Sequence, residues 1–399
     1  MLRIFICPYG ILTTPTQLGQ RNHVGWPPPV TQIRLGIIGY GSCARVFHLP
    51  FIERNPTYRL VAILEPRSPE EQHPQSHCTT DYPGTRWYRT LDEFCADPEI
   101  DLAVVTTPNE SHASIARKVL GSGKHVVVDK PVTCTSDEAS ELISLAREVA
   151  KVFAPFQNRR YDSDWRTLLS ILPYLGEIHE MIIHKDKNSP EWAISDRSTS
   201  VGPGAGAAMG MGSHSVDWCL ALFGRPASIT AFYRTLRPIE SPVEDSFTMI
   251  LQYGEAAPPI EDVGYSPIIA LAPAVRKNLL VTNKTNVYSN MVPLRFVIRG
   301  REGSFVKYGE DPQDAQIVAG IMPDDPRFGL EDDTIHGELS TATKALDSQR
   351  KSMFYRDVAN AVMGAGTLTA NPETARDGIR LIELARESSQ LGRTVDFTM

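Results

Sequence analysis

The chain has 399 residues, 42% of them hydrophobic, and a formal net charge of −7. That length predicts two domains, with enough core to stand without disulfides or metal. The acidic balance excludes a nucleic-acid binder, which needs a basic stripe, and no apolar run is long enough to span a bilayer.

Residues 1–32 contain no Asp or Glu and end beside Pro27-Pro28-Pro29. They read as a disordered extension of a cytoplasmic protein, with a mitochondrial address as the alternative. Cys7, Cys43, Cys78, Cys95, Cys134 and Cys219 show no C-x-x-C or zinc spacing, so reduced thiols and no metal site are expected.

Ile33 to Ile38 is a short β-branched run suited to a buried parallel strand. It enters Gly39-Tyr-Gly41-Ser42-Cys43-Ala44, a G-x-G-x-x-A turn. Gly39 permits the turn, Gly41 lets backbone approach a pyrophosphate, and Ala44 lets the helix pack closely, its free N–H groups facing the phosphates. Tyr58 to Leu64 is a second strand ending at Glu65, where an acidic side chain would meet a ribose. Arg67 argues for a 2′-phosphate instead, so NAD and NADP both stay open.

Thr90 and Glu93 predict a capping box, Leu102–Thr106 a buried strand, and 107–112 a turn into a helix ending at Gly121. His125–Asp129 is a strand that stops at Lys130-Pro131. Thr135 and Glu138 cap a helix with Ala139, Leu142, Ile143 and Ala146 on one face, and Val152–Phe156 completes the series. The expectation is an N-terminal Rossmann domain at 33–155 with a doubly wound parallel sheet.

From 156 to 399 strand follows strand: Glu177–His184, Ser228–Arg234, Ser246–Tyr253, Leu294–Arg299 and Gly303–Tyr308. That pattern predicts an α+β domain with a largely antiparallel sheet. One helix spans Ser213–Phe223, residues 255–292 read as an inserted loop, and the last helices are Ser352–Met363 and Pro372–Leu391.

Ligands bind at the carboxyl ends of parallel strands. Three polar clusters fall there: Thr107-Pro108-Asn109 with His112, Asp129-Lys130-Pro131, and Gln157-Asn158-Arg159. Lys130 is the sharpest, because burial lowers a lysine pKa towards the range of general acid/base work.

The order of these motifs resembles the Gfo/Idh/MocA oxidoreductase family, most of all its branch of NADP-dependent scyllo-inositol dehydrogenases. The further landmarks are Val46-Phe-His-Leu-Pro-Phe51, Phe156-Gln-Asn-Arg-Arg-Tyr-Asp-Ser-Asp164, Gly212-Ser-His-Ser-Val-Asp217 and Phe296 to Gln313. The resemblance runs from residue 33 to about 395. It implies NADP or NAD as cofactor and hydride transfer to or from a small alcohol or carbonyl substrate (sugar-, cyclitol- or secondary-metabolite-like). It also implies a homodimer through the C-terminal sheet. Lys130 matches the family's E-K-P lysine, with Asp129 in place of glutamate, and His214 its catalytic histidine. Asp217, three residues on, is expected to orient the imidazole. The cofactor shell would comprise Gly39, Gly41, Ser42, Cys43, Ala44, Glu65, Arg67, Thr107, Pro108, Asn109, His112, Asp129, Lys130 and Asn158. Arg159, Tyr161 and His214 would meet substrate.

Two departures stand out. Gly210 replaces the family's aspartate one helical turn before the histidine, and His184-Lys-Asp-Lys-Asn188 replaces an aspartate–arginine pair. Either the substrate differs from the usual polyol, or catalysis has lapsed. The alternatives are therefore a dinucleotide-binding regulator of the same fold, or a non-redox enzyme with tightly held cofactor.

Overall fold

The computed structural model describes residues 2–6, 32–188, 190, 201–255, 267–269, 273–341 and 354–399. Outside that set lie residues 7–31 of the expected extension with Cys7, residues 256–266 and 270–272 of the expected insertion, and Ser352 and Met353 of the expected helix.

Six strands form a wholly parallel sheet in the order Arg86–Tyr88, Tyr58–Leu64, Ile33–Ile38, Leu102–Val105, His125–Val128, Phe153–Pro155. The order reverses between Ile33–Ile38 and Leu102–Val105, which opens a crevice beyond their carboxyl ends. These strands are apolar without alternation because helices cover both faces; Leu35, Ile37, Val104 and Val127 are fully buried. Both expected capping boxes are present, Thr90 with Glu93 and Thr135 with Glu138, each returning two otherwise orphaned N–H groups to a side chain.

The second sheet has nine strands among the described residues, antiparallel except where Leu280–Thr285 runs parallel to Ile178–His184. Leu280–Thr285 lies inside the expected inserted loop and corrects that reading. Its buried positions, Val281, Asn283 and Thr285, are two-thirds polar, so the period-two hydrophobic signal is masked. At one edge Leu2–Ile6 pairs antiparallel with Gly337–Thr341, so strand pairing replaces the disorder expected for those five residues. Apart from Arg3 they are aliphatic or aromatic, a run able to pair with an open edge.

The helix Pro372–Leu391 joins the two sheets. It packs on Ser228–Arg234, on Ser213–Phe223 and on the Rossmann helix Ser136–Glu148. Ser136 donates to Glu383 from N and Oγ at 3.0 and 2.8 Å, and Arg147 pairs with Glu373 at 2.7 Å. Among the described residues no helix is long and apolar enough to cross a membrane.

His125 opens its strand with Nδ1 accepting from the Val152 N–H at 2.9 Å, a bond that needs a neutral ring nitrogen. Burial first, then Lys151, push its imidazole from the ordinary 6.5 down to about 4. The unfolded chain then takes up a proton between those values while the fold does not. Stability from this ring is present above pH 6.5 and lost as pH falls through about 4. His125→Gln, which keeps an acceptor, should flatten the decline in melting temperature across that window. An unchanged slope would assign the decline to other groups.

Candidate active site

The turn after the first parallel strand is shaped by space as much as by sequence. Gly39 has φ +95, and a Cβ there would stand 3.1 Å from Thr107 Cγ2 and 3.2 Å from the Thr106 carbonyl. A Cβ on Gly41 would meet nothing within 4 Å, so open volume adjoins the backbone where the first helical residues begin. That cradle fits a pyrophosphate, which needs backbone N–H groups with no side chain in the way. Ala44 is fully buried behind it, and Ser42 Oγ accepts from Gln75 Nε2 at 2.7 Å on the outer lip.

Under the turn, Asp129 is buried with its carboxylate fully engaged. Cys43 Sγ donates to Oδ2 at 2.5 Å, the Lys130 N–H donates to Oδ1 at 2.6 Å, and His48 Nε2 lies 3.7 Å from Oδ2. Burial alone would raise this carboxyl, but His48, the Lys130 ammonium and the Cys43 thiol together hold it well below the usual range. His48 is itself fully buried, stacked on Phe156 at 3.9 Å and bonded to the Tyr355 hydroxyl at 2.5 Å. The sequence reading gave His48 no role, although it is the central residue of the quoted Val-Phe-His-Leu-Pro landmark.

Lys130 crosses the crevice. Its Nζ donates to the Gly210 carbonyl at 2.9 Å, in the helical segment Ala208–Gly212 that runs straight into Ser213–Phe223. Burial lowers this ammonium, against the opposing pull of Asp129. His214 sits one turn beyond Gly210, 5% exposed, with Nδ1 buried and unpaired among the described residues. Burial first, then Lys130, Lys185, Arg159 and Arg295, push its imidazole well below its ordinary range. Lys130, just past a parallel strand, and His214, on the helix Ser213–Phe223, thus share one electrostatic neighbourhood. A Cβ on Gly210 would meet nothing within 4 Å, so space stands open where glycine interrupts the family pattern.

Several expected site residues do other work. Asp217 does not meet His214: its carboxylate takes Arg160 Nε and Nη2, both at 2.7 Å, in a buried bidentate pair. Two helical positions share a face, but a guanidinium aimed at the carboxylate wins over a neutral ring. Tyr161 turns away to donate to Asp357 at 2.7 Å and packs edge-on against Phe354. His112 is buried with Nδ1 2.8 Å from the Pro131 carbonyl and Nε2 2.9 Å from that of Thr107, so it ties two crevice loops together.

Asn109 Nδ2 donates to the Gly204 carbonyl at 3.0 Å, and Thr107 Oγ1 accepts from Ser111 at 2.7 Å. Pro108 precedes the short turn of helix at Asn109–Ser111, and Asn158 opens the one at Asn158–Tyr161. Glu65 and Arg67 engage each other: Arg67 Nε donates to Oε1 at 2.6 Å, while Oε2 takes the Cys78 N–H at 2.9 Å with His77 Nε2 3.5 Å away.

Arg159, expected to meet substrate, pairs with Asp162 at 3.5 Å and with Asp314, and its charge acts on the His214 ring. Beside it stand groups with no sequence-derived role. Arg295 Nε bonds Asp164 at 2.7 Å and lies over the Trp218 ring at 4.5 Å; Trp218 in turn stacks on Trp165. Lys185 is 6% exposed, with Nζ 5.6 Å from the Trp218 centroid. Only the altered His184–Asn188 stretch pointed towards it.

Residues 33–156 match the family model described as "Oxidoreductase family, NAD-binding Rossmann fold", and residues 174–259 match the GFO/IDH/MocA C-terminal domain. An uncharacterized oxidoreductase of Schizosaccharomyces pombe is 36% identical over 83% of this chain and 88% of its own. The scyllo-inositol 2-dehydrogenase (NADP(+)) IolW of Bacillus subtilis is 30% identical over 92% of this chain and 96% of its own. The solved structure of Bacillus subtilis yvaA aligns with TM-score 0.79 at 28% identity, covering 93% of this chain and all of that one. The likeness thus runs along nearly the whole length, and the chain belongs to the Gfo/Idh/MocA family of NAD-binding oxidoreductases.

Proposed function

We propose that this protein is an NAD(P)-dependent oxidoreductase that moves hydride between the nicotinamide and a carbon bearing a hydroxyl or carbonyl in a small molecule. The observation that carries this reading is Lys130 spanning from the Rossmann strand end to the Gly210 carbonyl, one turn from the buried His214, whose Nδ1 has no partner among the described residues. Gly39, Gly41, Ser42, Cys43, Ala44, Thr107, Pro108, Asn109, Asp129 and Asn158 lie on the loops and turns that would hold the dinucleotide. When bound, that cofactor accepts or returns the hydride.

For alcohol oxidation, the O–H proton passes to His214, whose imidazole is kept neutral by burial and the cations around it. Lys130 donates a hydrogen bond to the same oxygen and stabilises the negative charge that grows there as the O–H bond breaks, charge that the departing hydride then draws into the new C=O bond. The balance is alcohol and NAD(P)+ giving carbonyl, NAD(P)H and a proton. Asp129 holds the Lys130 main chain, and its charge opposes the lowering that burial imposes on the amine. Asp217 acts at one remove, by fixing Arg160 and hence the segment that carries Arg159. Retention of Lys130 and His214 favours this reading over a lapsed, regulatory one.

We further propose that two copies pair through the open face of the second sheet, where Phe232 and Tyr308 are 54% and 46% exposed. Light scattering should give a dimer mass, and a monomer at micromolar concentration would remove this proposal.

Lys130→Met and His214→Gln should each lower kcat by about 10²-fold or more while cofactor titration is unchanged. Because the His214 base stays neutral below its ordinary range, the acid limb of the oxidation profile should fall below pH 6.5. A limb at or above that value would point to a different base. Asp217→Ala should cost about 3–5 kcal/mol of stability by stranding the buried Arg160. Were Asp217 an orienter of the imidazole, the folded variant would instead lose turnover at nearly unchanged stability.

A further inference from the structure

The charges around His214 are unequal in kind. The four groups that dominate the field at its ring after burial are all cations: Lys130, Lys185, Arg159 and Arg295. The two guanidiniums bring their own carboxylates. Arg159 pairs with Asp162 and Asp314, and Arg295 with Asp164 at 2.7 Å and Asp162 at 3.6 Å. The lysines do not. Lys130 Nζ has a main-chain carbonyl, and Lys185 Nζ has no hydrogen-bond or ion-pair partner among the described residues.

Lys185 is more than nine-tenths buried, and the carboxylates it feels, Glu310 and Asp162, are held by other cations. Glu310 takes Lys187, and Asp162 lies between Arg159 and Arg295. Burial and the two guanidiniums push the Lys185 ammonium well below its ordinary range, a cost that an incoming anion would reverse. Two further donors, Arg159 Nε and Ser213 Oγ, are buried and without a hydrogen-bond partner among the described residues. A buried cation lacking an acceptor is costly unless a ligand supplies one. A neutral polyol brings hydroxyls that must donate as well as accept. A carboxylate brings only acceptors and a full negative charge.

We propose that the substrate is an anion, a hydroxy or oxo acid of the sugar-acid class, whose carboxylate is received by Lys185 while its carbinol or carbonyl carbon faces Lys130 and His214. This rests on the oxidoreductase reading above and adds to it the charge of the substrate. Lys185 would touch the carboxylate rather than the reacting atoms, so it sets affinity and selectivity, not the chemical step.

The test uses the full chain loaded with NADP+ and three acid–neutral pairs: D-glucuronate with D-glucose, D-galacturonate with D-galactose, and D-gluconate with D-glucitol. Calorimetric titration should give at least one acid that binds ten-fold or more tightly than its neutral partner. Lys185→Met should bring that ratio close to one and Lys185→Arg should keep part of it, with NADP+ affinity unchanged in both. For an acid that is turned over, Lys185→Met should raise KM with kcat nearly constant.

If no acid outbinds its neutral partner, or the preference survives Lys185→Met, the proposal is overturned. NADPH formation read in parallel separates the two claims. Turnover of neutral sugars without acid preference sinks this inference and leaves the oxidoreductase reading standing. Lys185-dependent acid binding without hydride transfer does the reverse.

Discussion

The bond from Lys130 Nζ to the Gly210 carbonyl is the contact on which the site depends. It is made between a residue at the end of a parallel strand and a main-chain oxygen in the helix of the other sheet. Each partner is placed by its own scaffold. Asp129 fixes the lysine main chain from below, and His112 bonds the Pro131 and Thr107 carbonyls so that neighbouring loops keep one relation. On the other side, Gly212 allows Ala208–Gly212 to lie against Phe247, where a Cβ would come within 3.2 Å. Positioning by rigid elements is what a hydride transfer requires, since its rate depends on holding donor and acceptor at near contact.

Charge is distributed with the same logic. Asp129 is kept ionised by three surrounding groups, and His214 is kept neutral by burial and cations. Pairs of titratable groups whose environments drive them apart let one crevice hold both the anchoring carboxylate and the proton acceptor that the proposed chemistry needs. The guanidiniums of Arg159, Arg160 and Arg295 are each tied to aspartates, Asp162, Asp217 and Asp164, which fix them in place around the site.

Much of this was legible in the residues. Ile33–Ile38, Tyr58–Leu64, Ser213–Phe223 and Pro372–Leu391 have the bounds expected, because each begins or ends at a glycine, proline or acidic stop beside a strong hydrophobic pattern. Lys130, singled out by its motif, lies near enough to His214 for its charge to act on the ring. What failed was local spacing used as a substitute for contact. Asp217 shares a helix face with His214, yet Arg160, 57 positions away, claims it. Leu280–Thr285 was hidden because Asn283 and Thr285 are buried polar positions. Lys185 was invisible as a site residue, since nothing in a Lys-Asp-Lys stretch says which ammonium turns inward. Glu65 and Arg67, the two groups expected near a ribose, also hold each other, a pairing the motif alone did not show.

The helix Pro372–Leu391 rests on the second sheet and on the Rossmann helix Ser136–Glu148 at once, stapled there by Glu383 and Glu373. Two halves clamped by a common strut have little freedom to swing apart. The slot between them is therefore cut to its width before any guest arrives, and selectivity must come from the fixed arrangement of its walls rather than from a closing motion.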